Sequence, residues 1–307
     1  MRFNPKARLD TRRMGDAGRS GAGRGGGGGG SLPIPGGLAG GGVGGLVLVV
    51  IVVLVSMWLG GGSGSSYDTS RMSDTGRYKD CKTGEDANSS SDCARVAVEN
   101  SLVDYWSDTL PAQSDVAFEP EKKVETFTDG IGTGCGGATA DVGPFYCPTD
   151  QTIYLDTTFF DDVLEGQLNG PSGAFVEPYV LAHEYGHHIQ NLLGTMGQVK
   201  TQQGPKSDSV RLELQADCYA GMWAKSATTT EDADGNVLIS DLTQEDVQQA
   251  IAAATAVGDD RIQQDSGGEV DPDSWTHGSA QQRVQWFTTG YREGTLEACD
   301  TFAAGAL

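Results

Sequence analysis

Residues 179–194 read YVLAHEYGHHIQNLLG. His183 and His187 stand four apart, so on a helix their rings leave one face and can share one ion at about 2.0–2.1 Å from each nitrogen. Glu184 falls about 100° round from His183, off the ligand face but close enough for its carboxylate to reach a water at the ion. Glu177-Pro178 opens the helix, since proline is tolerated in a first turn, and Gly194 closes it. The pattern H-E-x-x-H is short enough to arise by chance in on the order of one unrelated chain in a hundred. This chain holds only four histidines, however, and three of them fall on this one helix. The third of these, His188, points away from the ligand face and reads as a polar surface residue or a support for the ligands.

A zinc ion that does chemistry takes three protein ligands and leaves one position open. The extended pattern H-E-x-x-H-x-x-G-x-x-H fails here, because Gln190 and Leu193 stand where glycine and histidine would be needed. The third ligand must then come from another element, and RLELQADCYAG at 211–221 offers two carboxylates. Glu213 and Asp217 are four apart and share a helix face. The longer Glu213 suits the role of ligand, and Asp217 that of the acceptor that fixes a histidine tautomer. A solvated acidic face is the competing reading. Against it, Leu212, Leu214, Ala216, Cys218, Tyr219, Met222 and Trp223 make this helix mostly buried, and buried carboxylates need partners. The fourth histidine, His277, lies in WTHGS, ahead of a helix that carries Arg283. Either side chain could donate to the oxyanion of a tetrahedral intermediate. A histidine at a helix start with no such role is the open alternative for His277.

Charge is unevenly spread. Residues 1–66 carry seven Lys or Arg against only Asp10 and Asp16, which leaves 14 basic and 40 acidic residues beyond. So acidic a surface repels phosphate backbones and argues against nucleic acid as a partner. The same 66 residues hold 21 of the 45 glycines and read as unable to fold alone. Within them LVLVVIVVLVSMWL, Leu46–Leu59, extends back through uncharged sequence to Leu38, about 33 Å as a helix against a hydrocarbon core of roughly 30 Å. Lacking an amphipathic pattern, it reads as a membrane span, with a cleaved signal peptide disfavoured because no A-x-A site follows Leu59. Arginines precede it, so the expected topology is a single pass at the cell membrane, with a cytoplasmic N-terminus and an extracytoplasmic acidic domain.

The expected organisation is a disordered basic Gly-rich tail (1–37), a transmembrane helix (38–59), a linker (60–78) and one domain (79–307). The domain begins with a helix over Asp92–Asp108 and short strands at Lys123–Thr128 and Thr152–Asp156. Helices follow over Pro178–Leu193 and Asp208–Lys225, then from an N-cap at Thr243 to Gly258, and from Ser279 onward. Strands first and helices after give an α+β class. All six cysteines lie beyond the span and none forms a C-x-x-C pair, which suits disulfides in an oxidising compartment. They allow 15 pairings. The expectation adopted is Cys81–Cys93 and Cys135–Cys147 as local loops, with Cys218–Cys299 tying the C-terminus to the core.

With these pieces in place the chain resembles the bacterial neutral zinc metallopeptidases. The segments that carry the likeness are GCGGATADVGPFYCPTDQTIYLD, YVLAHEYGHHIQNLLG, RLELQADCYAGMWA, AVGDDRIQQ and THGSAQQRVQWFTTGY, across roughly residues 75–305, with RLDTRR and the apolar stretch also similar. The resemblance implies a zincin-like fold of gluzincin type, a small N-terminal sheet with active-site helices. It also implies Glu213 as third ligand and Asp217 behind it. In zincin folds an edge strand ahead of the motif helix binds substrate backbone, here expected around Gly143–Asp156.

The expectation is a membrane-anchored zinc peptidase acting on a peptide or protein substrate. His183, His187 and Glu213 would hold Zn2+, with Glu184 as general base and His277 or Arg283 as oxyanion donor. The rivals are a non-catalytic zinc-containing peptide-binding module, for which Glu184 is idle, and a purely structural surface protein, which holds no stoichiometric metal.

Overall fold

The sheet and helices of this protein are seen in a computed structural model that describes residues 1–19, 74–139 and 142–307. Two strands come first, β1 (Arg2–Phe3) and β2 (Met14–Arg19), then helices α1 (Gly84–Ser89) and α2 (Ser91–Gln113). Strands β3 (Lys123–Thr128), β4 (Gly130–Thr133), β5 (Gly136–Thr139), β6 (Phe145–Cys147) and β7 (Thr152–Asp156) follow. The remainder is α3 (Val176–Leu192), α4 (Asp208–Ser226), β8 (Ile239–Asp241), α5 (Gln244–Ala256), α6 (Asp259–Asp265) and α7 (Ala280–Glu293). Helix starts follow local chemistry. Thr243 with Asp246 and Ser279 with Gln282 form capping boxes on α5 and α7, and the Ser207 hydroxyl caps α4. Helix α2 runs through Pro111 to Gln113, beyond the expected Asp108.

The main sheet has the order β2-β3-β7-β6, with β2, β3 and β7 parallel and β6 antiparallel to β7 at one edge. Side chains alternate across it as the pleat requires. Val124, Tyr146, Ile153 and Leu155 join the large core under the helices, whereas Phe127, Phe145, Cys147 and Tyr154 build a small second core on the other face. The β4–β5 hairpin covers that second face with Ile131 and Ala138.

Helix α3 is buried on nearly every side from Val176 to Gln190, as expected of a helix that crosses a core rather than flanking one. Its approach to α4 is set by Gly186. A Cβ at that position would stand 3.0 Å from the Ala216 Cα, so any larger residue would push the two helices apart by a few tenths of an ångström. Helix α7 closes on α4 in the same way, with Gly290 against the Cys218 carbonyl. The disulfides are Cys81–Cys93, Cys135–Cys147 and Cys218–Cys299, as expected, and the last spans 81 residues to hold the C-terminus on α4.

The α+β class stands, but its setting is corrected. Among the described residues no helix is long and apolar enough to cross a membrane, and the span expected over 38–59 lies outside them. The single-pass topology fails on strand pairing. Residues 1–19, read as part of a disordered tail, are ordered: β1 pairs with β8 and β2 pairs with β3 in the main sheet. Thr75, where the described chain resumes, bonds through its N–H to the Asp16 carbonyl (2.9 Å) and through its hydroxyl to the Asp16 carboxylate (2.5 Å). A cytoplasmic N-terminus and an extracytoplasmic domain would put these partners on opposite sides of a bilayer, so that localisation is withdrawn. Tyr78, next to the expected domain start at about 79, is buried and bonds to Thr126.

Candidate active site

Helices α3 and α4 bring His183, His187 and Glu213 together, with one ligand atom from each lying within 4.8 Å of the other two. What surrounds the histidines decides where their lone pairs point. The His183 Nδ1 lies 2.9 Å from the Asp217 carboxylate, and the His187 Nδ1 lies 2.8 Å from the Gln190 side-chain oxygen. Gln190 is itself oriented, because its amide nitrogen donates to the Leu212 carbonyl and to Gln215. Each Nδ1 therefore carries a hydrogen, and each neutral ring turns its Nε2 lone pair inward. There the two Nε2 atoms stand 3.2 and 3.3 Å from the oxygens of Glu213. Three acceptors thus face one another with no donor between them, inside the core. Only a cation or a shared proton satisfies that arrangement. Two imidazole nitrogens and a carboxylate fit a zinc site with an open position.

The electrostatics agree. Burial alone would lower the His183 imidazolium, but Asp217 and Glu213 beside it outweigh burial and hold it up at about 10. Burial would raise Glu213, yet His187 and His183 pull it well below the usual carboxylate range. The pocket therefore draws positive charge. Asp217 is held at about 2, against its burial, by the Arg283 guanidinium and by His183. Arg283 grips Asp217 with both Nε (2.8 Å) and Nη2 (3.0 Å), and Tyr179 donates its hydroxyl to the same carboxylate at 2.6 Å.

Glu184 lies beside this point but outside the ligand set. Burial raises its carboxyl, partly offset by the two histidines. A cleft of about 120 Å3 opens in front of it, lined by Val142, Phe145, Phe159, Val163, Val180 and Val257 together with His183, His187, Glu213, His277 and Arg283. The walls are largely apolar, and the charged groups gather at one end.

Of the residues named from sequence, His277 and Arg283 both line the cleft, and Arg283 is paired with Asp217. His277 has a partner that sequence reasoning missed. Asp259, at the start of α6, lies 3.2 Å from His277 Nδ1 with one oxygen. With the other it accepts the backbone N–H groups of Thr276, His277 and Gly278. Burial would raise Asp259, but His277 and these N–H groups lower it. The motif GDDRIQQ contains Asp259, but nothing local marks which of its two aspartates faces a histidine. Gln190 was noted only as the residue that breaks the three-histidine pattern, and the structure gives it the task of orienting His187. His188 does point away from the ligands. It is not at the surface, however, being fully buried and bonded to Tyr146 and the Glu119 carbonyl, and burial lowers it to about 4.

The chain is 49% identical over 229 residues to an uncharacterized protein of Mycobacterium tuberculosis H37Rv, covering 74% of this chain and 76% of the relative. The Mycobacterium bovis relative matches equally, at 49% over 229 residues and the same shares of the two chains, 74% and 76%. The uncharacterized protein YpfJ of Escherichia coli K12 is 46% identical over 176 residues, 55% of this chain and 58% of that protein. No solved structure matches the chain. Residues 3–302 match the family described as "Putative neutral zinc metallopeptidase", so that β2, the His183–His187–Glu213 cluster and α7 all fall within the match and the chain belongs to that family.

Proposed function

We propose that this protein is a zinc-dependent peptidase that hydrolyses a peptide bond with Glu184 as general base and acid. The observation that carries it is the inward turn of two Nε2 lone pairs and the Glu213 carboxylate onto one buried point beside Glu184. A bound zinc would supply Lewis acidity and a water of lowered pKa. The rest is work for the chain. Glu184, a carboxyl raised by burial, takes the proton of the attacking water and passes it to the leaving amine. His277, held at Nδ1 by Asp259, lines the cleft and donates to the developing oxyanion. Arg283 acts at one remove, keeping Asp217 ionised behind His183. The free edge of β6 takes the extended substrate backbone, and the apolar walls favour a peptide with a large apolar side chain next to the scissile bond.

The test is metal analysis and peptide-library cleavage on the full chain, native against Glu184→Gln. One zinc per chain in both and cleavage by the native protein alone is the expected result. Zinc retained with cleavage by neither overturns the peptidase and leaves a zinc-containing peptide-binding module. No stoichiometric metal in the native protein overturns both.

A further inference from the structure

Strand β6 forms the free edge of the main sheet and meets β7 through only three residue pairs, so the ladder alone defines its position weakly. Its middle residue is held from elsewhere. The Tyr146 hydroxyl lies 3.1 Å from His188 Nδ1 and 3.0 Å from the Asn191 side-chain nitrogen, both on α3. On its far side His188 Nε2 lies 2.7 Å from the Glu119 carbonyl. A carbonyl only accepts, so Nε2 carries the hydrogen and Nδ1 the lone pair. Tyr146 must then donate to Nδ1, which leaves its oxygen to accept from Asn191. One proton arrangement satisfies all four groups. Tyr146 is 1% exposed and His188 0%, so water does not compete.

We propose that His188 and Asn191 are positioning residues: by holding the Tyr146 hydroxyl they fix β6, and with it the edge on which a peptide lies. This rests on the peptidase reading. The helix that supplies the ligands and the base thereby also sets the substrate strand, so the two halves of the site move as one body. Sequence spacing hides this role, since His188 gains it only from a strand 42 residues earlier.

The test uses the zinc-loaded full chain with Tyr146→Phe, His188→Gln and the pair together. Tyr146→Phe removes only the hydroxyl. His188→Gln keeps a donor for the Glu119 carbonyl but no acceptor at the Nδ1 position. The probe is an internally quenched octapeptide with apolar residues at its centre. Each single variant should raise KM about fivefold, the size of one lost neutral hydrogen bond, and the double variant no further. Amide exchange across 143–148 should quicken about tenfold in Tyr146→Phe while 212–222 in α4 stays unchanged. Asn191→Ala, at a half-buried site, should raise KM about twofold and serves if the buried variants do not fold. Unchanged exchange at β6 overturns the clamp. Faster exchange with KM unchanged overturns its role in positioning substrate, because loss of folded molecules alone lowers kcat and leaves KM alone. If the native protein cleaves no peptide, the peptidase reading fails, and the exchange result judges the clamp by itself.

Discussion

Replacing Arg13 by methionine should destabilise the protein by about 3 kcal/mol at neutral pH, the low end of the cost of stranding a buried charge. Its Nε lies 2.7 Å from Glu99 and 3.6 Å from Glu121, and both carboxylate side chains are wholly excluded from solvent. Neither Glu121 oxygen has a hydrogen bond of ordinary geometry within the described residues, so Arg13 is the compensating cation. Burial first, and Glu99 second, push the Glu121 carboxyl well above its usual value of 4.5. The sign of the pH dependence follows. A carboxyl raised on folding binds its proton more tightly in the native state, so its contribution is intact below the unfolded pKa and is lost as pH rises through the folded one. Removing Arg13, which lowers Glu121, raises that carboxyl further. The gap between native and Arg13→Met should therefore be about 1 kcal/mol at pH 4 and widen to about 3 kcal/mol by pH 8. Urea unfolding at fixed zinc, followed by fluorescence of the buried Trp106 and Trp223, gives both numbers if the m-value holds. Methionine keeps most of the aliphatic volume, so packing loss contributes little. A gap under about 0.5 kcal/mol at pH 8, or one independent of pH, would refute the reasoning and return residues 1–19 to the status of a tail.

Asp217→Asn leaves the His183 Nδ1 without its carboxylate and Arg283 without its partner. Zinc affinity, read by competition with a chelating dye, should fall about 10- to 100-fold. Asp259→Asn removes the carboxylate that holds His277 in place. With zinc content unchanged, kcat on a cleaved peptide should fall about 100-fold while KM moves little, and an equal loss in zinc would assign Asp259 to folding instead.

Much of this site could be read from local spacing. The strands Lys123–Thr128 and Thr152–Asp156 have the expected bounds, and the start and stop signals of the motif helix lie within two residues of α3. Glu213 and Asp217 lie buried on one helix, as periodicity and burial, which both act over a few residues, lead one to expect. What escaped lies across long separations. Arg283 reads as an oxyanion donor only until its partner 66 residues away is seen. Strand β2 reads MGDAGR, with little β-propensity and two glycines. Its order comes from parallel pairing with a strand more than a hundred residues on and from the anchoring of Asp16 and Arg13, which no window of sequence contains. The apolar stretch at 46–59 pulled the reading the other way, since hydropathy scores a segment without regard to where its flanks must meet.

Three buried or half-buried arginines show why those long-range pairs matter to chemistry. Arg13 arrives from the N-terminal segment and neutralises the acids packed against Tyr185, next to Glu184. Arg95, on α2, pairs with Glu177 in the first turn of α3. Arg283, on α7, pairs with Asp217 behind His183. Each therefore bears on α3 or on the groups packed against it, at a different point along the helix, and each comes from a different part of the chain. Buried ion pairs of this kind add little net stability, because desolvation offsets most of the attraction, but a misplaced partner costs several kcal/mol. Three such pairs restrict α3 to one depth and one rotation in the core. A catalytic base must sit within about half an ångström of its working place, and a helix held by apolar packing alone is free to slide by more than that. On this argument the strong charge asymmetry of the chain and the precision of its site are linked: the few arginines that are buried are spent where the ligand helix would otherwise drift.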